Sequence, residues 1–247
     1  MPRQNLDHKI QSLFDHLLLL GSMVEQATLD AVQALKQRDL AAARRIYKND
    51  ESINLERFAI ENETMAVLAT QQPVMGRDLR VLASMLEVCT ELERMGDYAK
   101  GIARITLMMG NQPPVKPLVD IPRMAHTAVD MLHQALSAFV SADAGQARQI
   151  PLRDEEVDTL YNQVNRELIT YMIADPSTID RANYLMWAAH NLERMADRVT
   201  NICERTIYIA TGEIHELDST DDEWMKDVSD SPAKQDFSDE DDFDDED

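Results

Sequence analysis

Glu93 and Asp97 stand four residues apart, and one hundred residues further on Glu193 and Asp197 do the same. On a helix, positions i and i+4 share a face, so each pair sets two carboxylates side by side. Like charges so placed cost an isolated helix about 0.2–0.5 kcal/mol. A cation bridging the pair turns that repulsion into attraction. The bland alternative is a solvated acidic face partly neutralised by Arg94 and Arg194. Two matched copies favour the cation, because the same unfavourable spacing is kept at equivalent places.

More acids recur upstream at matched positions: Asp50, Glu51 and Asn54 correspond to Asp154, Glu155 and Asp158. Asp50 with Asn54, and Asp154 with Asp158, again make i, i+4 pairs. If that helix lies beside the motif helix, each half offers a set of oxygen ligands. Such a set suits hard or borderline cations, with Mg, Mn or Fe the expected choices. The lack of Cys in it argues against structural zinc. His190, three residues before Glu193, could add a nitrogen ligand in the second half only; its bland reading is a solvated side chain. Arg80, Arg94, Arg181, Arg194 and Arg198 could hold anions beside the metals, although pairing with surface carboxylates is the commoner role.

Other chemistry finds little support. The chain has no Gly-rich phosphate loop, nucleophile elbow or Ser-His-Asp arrangement. It has no Glu-x-x-His of the di-iron bundles; the nearest approach is Asp130 with His133, once. Cys89 and Cys203 lie inside helical patterns at non-equivalent positions, and read as buried free thiols of a reducing cytoplasm rather than a disulfide.

The acidic pairs sit inside a duplicated stretch. Leu92-Glu93-Arg94-Met95-Gly96-Asp97 returns as Leu192-Glu193-Arg194-Met195-Ala196-Asp197, with Gly for Ala the one difference. A self-match at a fixed offset marks a repeated unit. Apolar residues at helical spacing predict a first helix over 5–37, a second over 40–71 with Asp39 as N-cap, and a third from about Met75 to Met109. Asn111 to Lys116 and Pro117 form a proline-rich linker. A fourth helix over about 119–141, a fifth after Asp143 to Ala174, and a sixth after Ser177 to about Thr211 repeat the plan. Asp39 matches Asp143, and Tyr47 matches Pro151, so the fifth helix should kink or start late there. The expected fold is all-α: two tandem three-helix bundles, six long helices, with repeats over 5–110 and 118–212 separated by the 111–117 linker.

The net charge of −21 is concentrated in residues 213–247, which hold 17 acids and two lysines and end in Asp239 to Asp247. That segment reads as a disordered solvated tail, or as an electrostatic arm toward basic partners or cations. No basic excess points to nucleic acid. The first ten residues lack a signal core, and the apolar run Leu17–Leu20 is far too short to span a bilayer.

Taken together, the repeated three-helix unit with Glu-Arg-Met-Gly-Asp and Glu-Arg-Met-Ala-Asp in its third helix resembles the PhoU family, over about residues 5–211. The family pattern of an acid, three residues and Asp is met by Glu93 and Asp97 and by Glu193 and Asp197. The second-helix acids fall at Asp50, Asn54, Asp154 and Asp158; Asn54 departs from a carboxylate and weakens the first site. The resemblance implies a cytoplasmic, usually dimeric, non-enzymatic negative regulator of the phosphate-starvation response. It implies a link between the ATPase subunit of the phosphate ABC transporter and a sensor histidine kinase, with membrane association only through partners. It also implies divalent or multinuclear iron sites in some members. The competing readings are a carboxylate-bridged metalloenzyme and a plain helical scaffold. The first needs a lined substrate pocket; the second leaves the duplicated like-charge pairs unexplained.

Overall fold

A computed structural model describes residues 2–71, 73–214, 216 and 217. Among them are seven α-helices and no strand: α1 (Pro2–Gln37), α2 (Leu40–Thr70), α3 (Arg77–Met109), α4 (Asp120–Ser141), α5 (Ala144–Gln149), α6 (Asp154–Ala174) and α7 (Ile179–Thr211). The expected disordered tail over 213–247 lies almost entirely outside the described residues. No described helix is long and apolar enough to cross a membrane.

Local chemistry sets the helix ends. Asp39 Oδ1 accepts the Ala41 and Ala42 amides, both at 2.9 Å, and Asp143 Oδ1 accepts those of Gly145 and Gln146 at 2.9 and 3.0 Å. Each satisfies amides that the first helical turn leaves without partners. The residue before each cap is left-handed, Arg38 at φ 59° and Ala142 at φ 52°. The repeat is therefore kept down to backbone conformation. Pro151 acts as expected: lacking an amide hydrogen it cannot continue α5, and a 3-10 turn over Pro151–Arg153 separates α5 from α6. Six predicted helices thus become seven. Ser177, expected to cap the last helix, does not. Asp175 Oδ1 accepts the Ser177 amide at 3.0 Å and caps a 3-10 turn, Pro176–Thr178, that leads into α7. An aspartate before a proline is the better local acceptor for that turn.

The two repeats share one core. α3 and α7 bury matching stripes, Leu82, Met85, Leu92, Met95, Ala99 and Ile102 against Leu185, Leu192, Met195, Val199 and Ile202. They run antiparallel, as their cross-links show: Arg80 Nη2 donates to the Ile209 carbonyl at 3.3 Å, Arg205 Nε lies 2.6 Å from Glu87, and Arg198 Nη1 lies 3.5 Å from Glu91. α1 ties both repeats together. The Leu136 side chain of α4 rests against Gly21 of α1, in the space a Cβ there would take. Phe14 meets Phe139 edge-on at 6.0 Å between centroids, and the Thr28 hydroxyl reaches Met195 Sδ at 3.5 Å.

The linker is tied down by Lys116. Its Nζ, nearly buried, donates to Asp120 Oδ2 at 3.1 Å and to Glu167 of α6. Burial pulls the ammonium toward neutrality, but the two carboxylates outweigh it and hold its pKa above the usual lysine range. The Lys116 hydrogen bond, helped by Gln163, holds Glu167 below the usual carboxylate range. Removing one partner of a buried pair costs about 3–5 kcal/mol, and the exposure of Glu167 places this clamp at the low end. Lys116→Met should therefore lower stability to chemical denaturation by about 3 kcal/mol. The wild-type advantage should be present above the ordinary Glu pKa and below the ordinary Lys pKa. It should fade as pH falls through the depressed value of Glu167, or rises through the elevated value of Lys116.

The single Gly-for-Ala difference in the duplicated motif also has a packing cause. A Cβ on Gly96 would lie 3.1 Å from Ile53 Cγ2 of α2. At the matched positions the second repeat has Ala196 and Val157, the latter one methylene smaller than Ile53, and both are fully buried. Gly96→Ala alone should cost about 1–3 kcal/mol by overpacking. Adding Ile53→Val should recover much of that loss, read from a denaturation double-mutant cycle.

Candidate metal centres

The motif acids project from α3 and α7 toward the second helix of their own repeat. In the first repeat Asp50 of α2 is almost fully buried and faces α3. Its Oδ2 accepts two hydrogen bonds, one from Lys100 Nζ at 2.6 Å and one from Asn54 Nδ2 at 3.1 Å. The same ammonium lies 3.6 Å from Asp97 Oδ1. Asp50, Asn54 and Asp97 are thus brought together, but around a lysine. Bonding to Asp50 holds Lys100 above the usual lysine range despite some burial. Glu93 is half-buried; burial first, then the Asp97 charge, raises its pKa, while Arg57 pulls it down.

The second repeat differs at the same positions. Asp158 stands in place of Asn54, and Thr200 in place of Lys100. Burial, then the charges of Asp197 and Asp158, raise Glu193 above the usual range, with His190 pulling the other way. The carboxylates of α6 and α7 are therefore close enough to repel one another. Glu193 Oε2 is buried without a well-directed hydrogen bond, with His190 Nδ1 3.1 Å away. His190, half-exposed, thus sits at the acidic cluster rather than apart from it. Asp154 opens α6 at the position matching Asp50. Glu51 and Glu155 are exposed.

Among the described residues no three His, Cys, Asp or Glu side chains form a group that could hold a metal ion. The two repeats differ in charge: Lys100 sits between Asp50 and Asp97 in the first, and Thr200 stands at its place in the second. Lys100 was not singled out from sequence, although its signal was there: it follows Asp97 by three residues, and its counterpart is a threonine.

The arginines considered for anions are engaged within the fold. Arg94 pairs with Glu91 at 2.8 Å, Arg181 donates to the Pro113 carbonyl at 3.3 Å, and Arg194 lies over the Tyr98 ring at 5.6 Å. Arg198 contacts both Glu91 and Tyr98. Asp130 and His133 have separate partners, Arg153 and Glu25. Cys89 and Cys203 are buried and free; burial pushes both thiols up to about 12, so neither is a thiolate at neutral pH.

Glu193 is a charge that folding penalises, burial first and the Asp197 charge next. Its folded pKa is raised, so its contribution is favourable below the ordinary Glu value and is lost as pH rises through the folded value. Glu193→Gln should therefore raise the melting temperature of metal-free protein at pH 7. The gap to wild type should close as pH falls toward the ordinary carboxylate range.

The PhoU domain model matches residues 17–106 and 121–206, one match per repeat. A phosphate-specific transport system accessory protein PhoU homolog from Clostridium acetobutylicum is 32% identical over 212 residues, spanning 86% of this chain and 97% of its own. The crystal structure of PhoU from Pseudomonas aeruginosa superposes with a TM-score of 0.78 at 33% identity, over 84% of this chain and 99% of that one. A crystal structure of the phosphate transport system regulatory protein PhoU from Streptococcus pneumoniae gives 0.78 at 31%, over 85% and 99%.

Proposed function

The chain belongs to the PhoU domain family, and on that premise we propose that it is a non-enzymatic regulator of phosphate uptake. It works as a cytoplasmic homodimer and restrains both the transporter and the phosphate-starvation response. Its helical surface docks the ATPase subunit of a phosphate ABC transporter and a sensor histidine kinase. The reading is supported by relatives named as accessory or regulatory proteins of phosphate transport.

The observation that carries the metal part is the second-repeat cluster. Asp154 and Asp158 of α6 and Glu193 and Asp197 of α7 are the residues that would hold Mg, Mn or Fe. The bound ion would supply positive charge between two helices whose carboxylates otherwise repel. These side chains would then pin α6 to α7 and preorganise the docking face, so that binding spends less on ordering it. The arrangement offers the regulator's needs, a fixed surface and a cation-dependent brace.

The test combines elemental analysis of purified protein with capture of the transporter ATPase from phosphate-replete and phosphate-starved cells. Glu193→Ala with Asp197→Ala should lower bound metal and weaken capture in phosphate-replete extracts. Unchanged metal content would remove the site assignment, and equal capture by wild type and variant would remove the link between metal and docking.

A further inference from the structure

A basic patch and an open groove meet at one end of the first repeat. Residues 36–48 hold five cations, Lys36, Arg38, Arg44, Arg45 and Lys48, and one acid, Asp39, which caps α2. In a chain of net charge −21 this is a local inversion of sign. The matched stretch of the second repeat, 140–152, holds one cation, Arg148, and one acid, Asp143. All five cations of the first repeat are exposed. Arg38 donates to the Asn111 carbonyl at 3.3 Å. Lys36, Arg44, Arg45 and Lys48 form no ion pair among the described residues.

Arg45 and Lys48 stand on the wall of a cleft of about 940 Å³ between α1 and α2. It runs along α1 from Ser22 to Gln37, about 22 Å at 1.5 Å per residue. Small residues leave it open: Ala27, Ala34, Ala42 and, from α3, Gly96. Met23, Ile46, Ile53 and Leu55 give it apolar surface, and Leu55 is 62% exposed. The facing α1 wall carries amides, Gln26, Gln33 and Gln37, and one acid, Asp30. Asp30 accepts a hydrogen bond from Gln26 at 2.9 Å and pairs with no cation of the α2 wall. On that α2 wall Asp50 is held by Lys100 at 2.6 Å, which leaves Glu51 as its other acid.

We propose that this groove is the docking site for an acidic amphipathic helix of a partner protein. Such a helix lays its apolar face between α1 and α2, on Met23, Ile46 and Leu55. Its acids turn to Arg45, Lys48 and the cations of the neighbouring turn. Charge complementarity selects the occupant: exposed cations act over about 8–10 Å at ordinary ionic strength, and a cluster of them steers an acidic partner to the groove. Concavity separates a helix from a lipid surface, because a bilayer cannot follow the cleft down to Ile53 and Gly96. The apolar floor separates it from nucleic acid, whose binding is dominated by phosphate contacts. The site needs no metal. The second repeat has neither the cations nor the unbroken helix to match it, since Pro151 interrupts that stretch.

Fluorescence anisotropy of a labelled synthetic helix of Leu and Glu, titrated with the full chain, tests this. A Leu–Lys helix of the same pattern and vesicles of phosphatidylglycerol are the comparison ligands. The full chain should bind the Leu–Glu helix, more weakly as salt rises, and leave the Leu–Lys helix free. Arg45→Glu with Lys48→Glu should weaken binding about tenfold, two exposed attractions having become repulsions. Leu55→Asp should weaken it by a similar factor, and Arg148→Glu, at the matched cation of the second repeat, should leave it unchanged. All four side chains are exposed, and circular dichroism checks that each variant folds. Should the double charge reversal fold poorly, Arg45→Gln with Lys48→Gln should still weaken binding. No binding of the Leu–Glu helix, equal binding of the Leu–Lys helix, or unchanged affinity in either groove variant would overturn the proposal. Vesicle binding that the charge reversal removes, with no helix binding, would overturn it in favour of a lipid surface. The readout is the helix and not the transporter, so failure here leaves the proposed regulator role standing, and failure of that role leaves the groove.

Discussion

Repulsion between carboxylates is the constraint on which the rest depends. Each motif helix presents two acids on one face and packs that face toward a helix carrying another. Charges drawn partly out of water repel more strongly than at an open surface, so positive charge must be found. The first repeat finds it in Lys100. The second has a half-exposed histidine beside Glu193. The two halves are therefore alike in shape and unlike in the charges around their motif acids.

The surrounding architecture keeps these clusters in register. α3 and α7 run antiparallel, and their apolar stripes fix which faces turn outward to α2 and α6. α1 lies across both repeats, with Leu136 resting on Gly21. A shift of α6 against α7 is thus felt along a core shared with α3 and α1. Packed interiors change between discrete arrangements rather than deforming smoothly.

Much of the fold was legible because its signals are local. Asp39 and Asp143 cap helices where a side-chain oxygen precedes an apolar periodic run, and Pro151 interrupts one because it lacks an amide hydrogen. The helix ends at Ala174 and Thr211 follow the same logic. Ser177 misled because Asp175, one residue ahead of Pro176, is the stronger acceptor for that turn. What sequence spacing did not reveal depends on contacts between distant segments. The close approach of Gly21 to Leu136 needs the α1–α4 packing. The fit of Gly96 beneath Ile53 needs the α2–α3 distance. At the motifs, the spacing of Glu93 with Asp97 and of Glu193 with Asp197 sets each pair on one helix face. The difference between the halves lay in Lys100, a residue that looks like an ordinary surface lysine until Asp50 is placed beside it.

The most direct measurement is anomalous diffraction from crystals of the full chain grown with Mn²⁺. The account places the anomalous peak between α6 and α7, among Asp154, Asp158, Glu193 and Asp197, with Lys100 still bonded to Asp50. A peak between α2 and α3 with the Lys100 side chain swung away, or Mn²⁺ found only elsewhere on the surface, would contradict it.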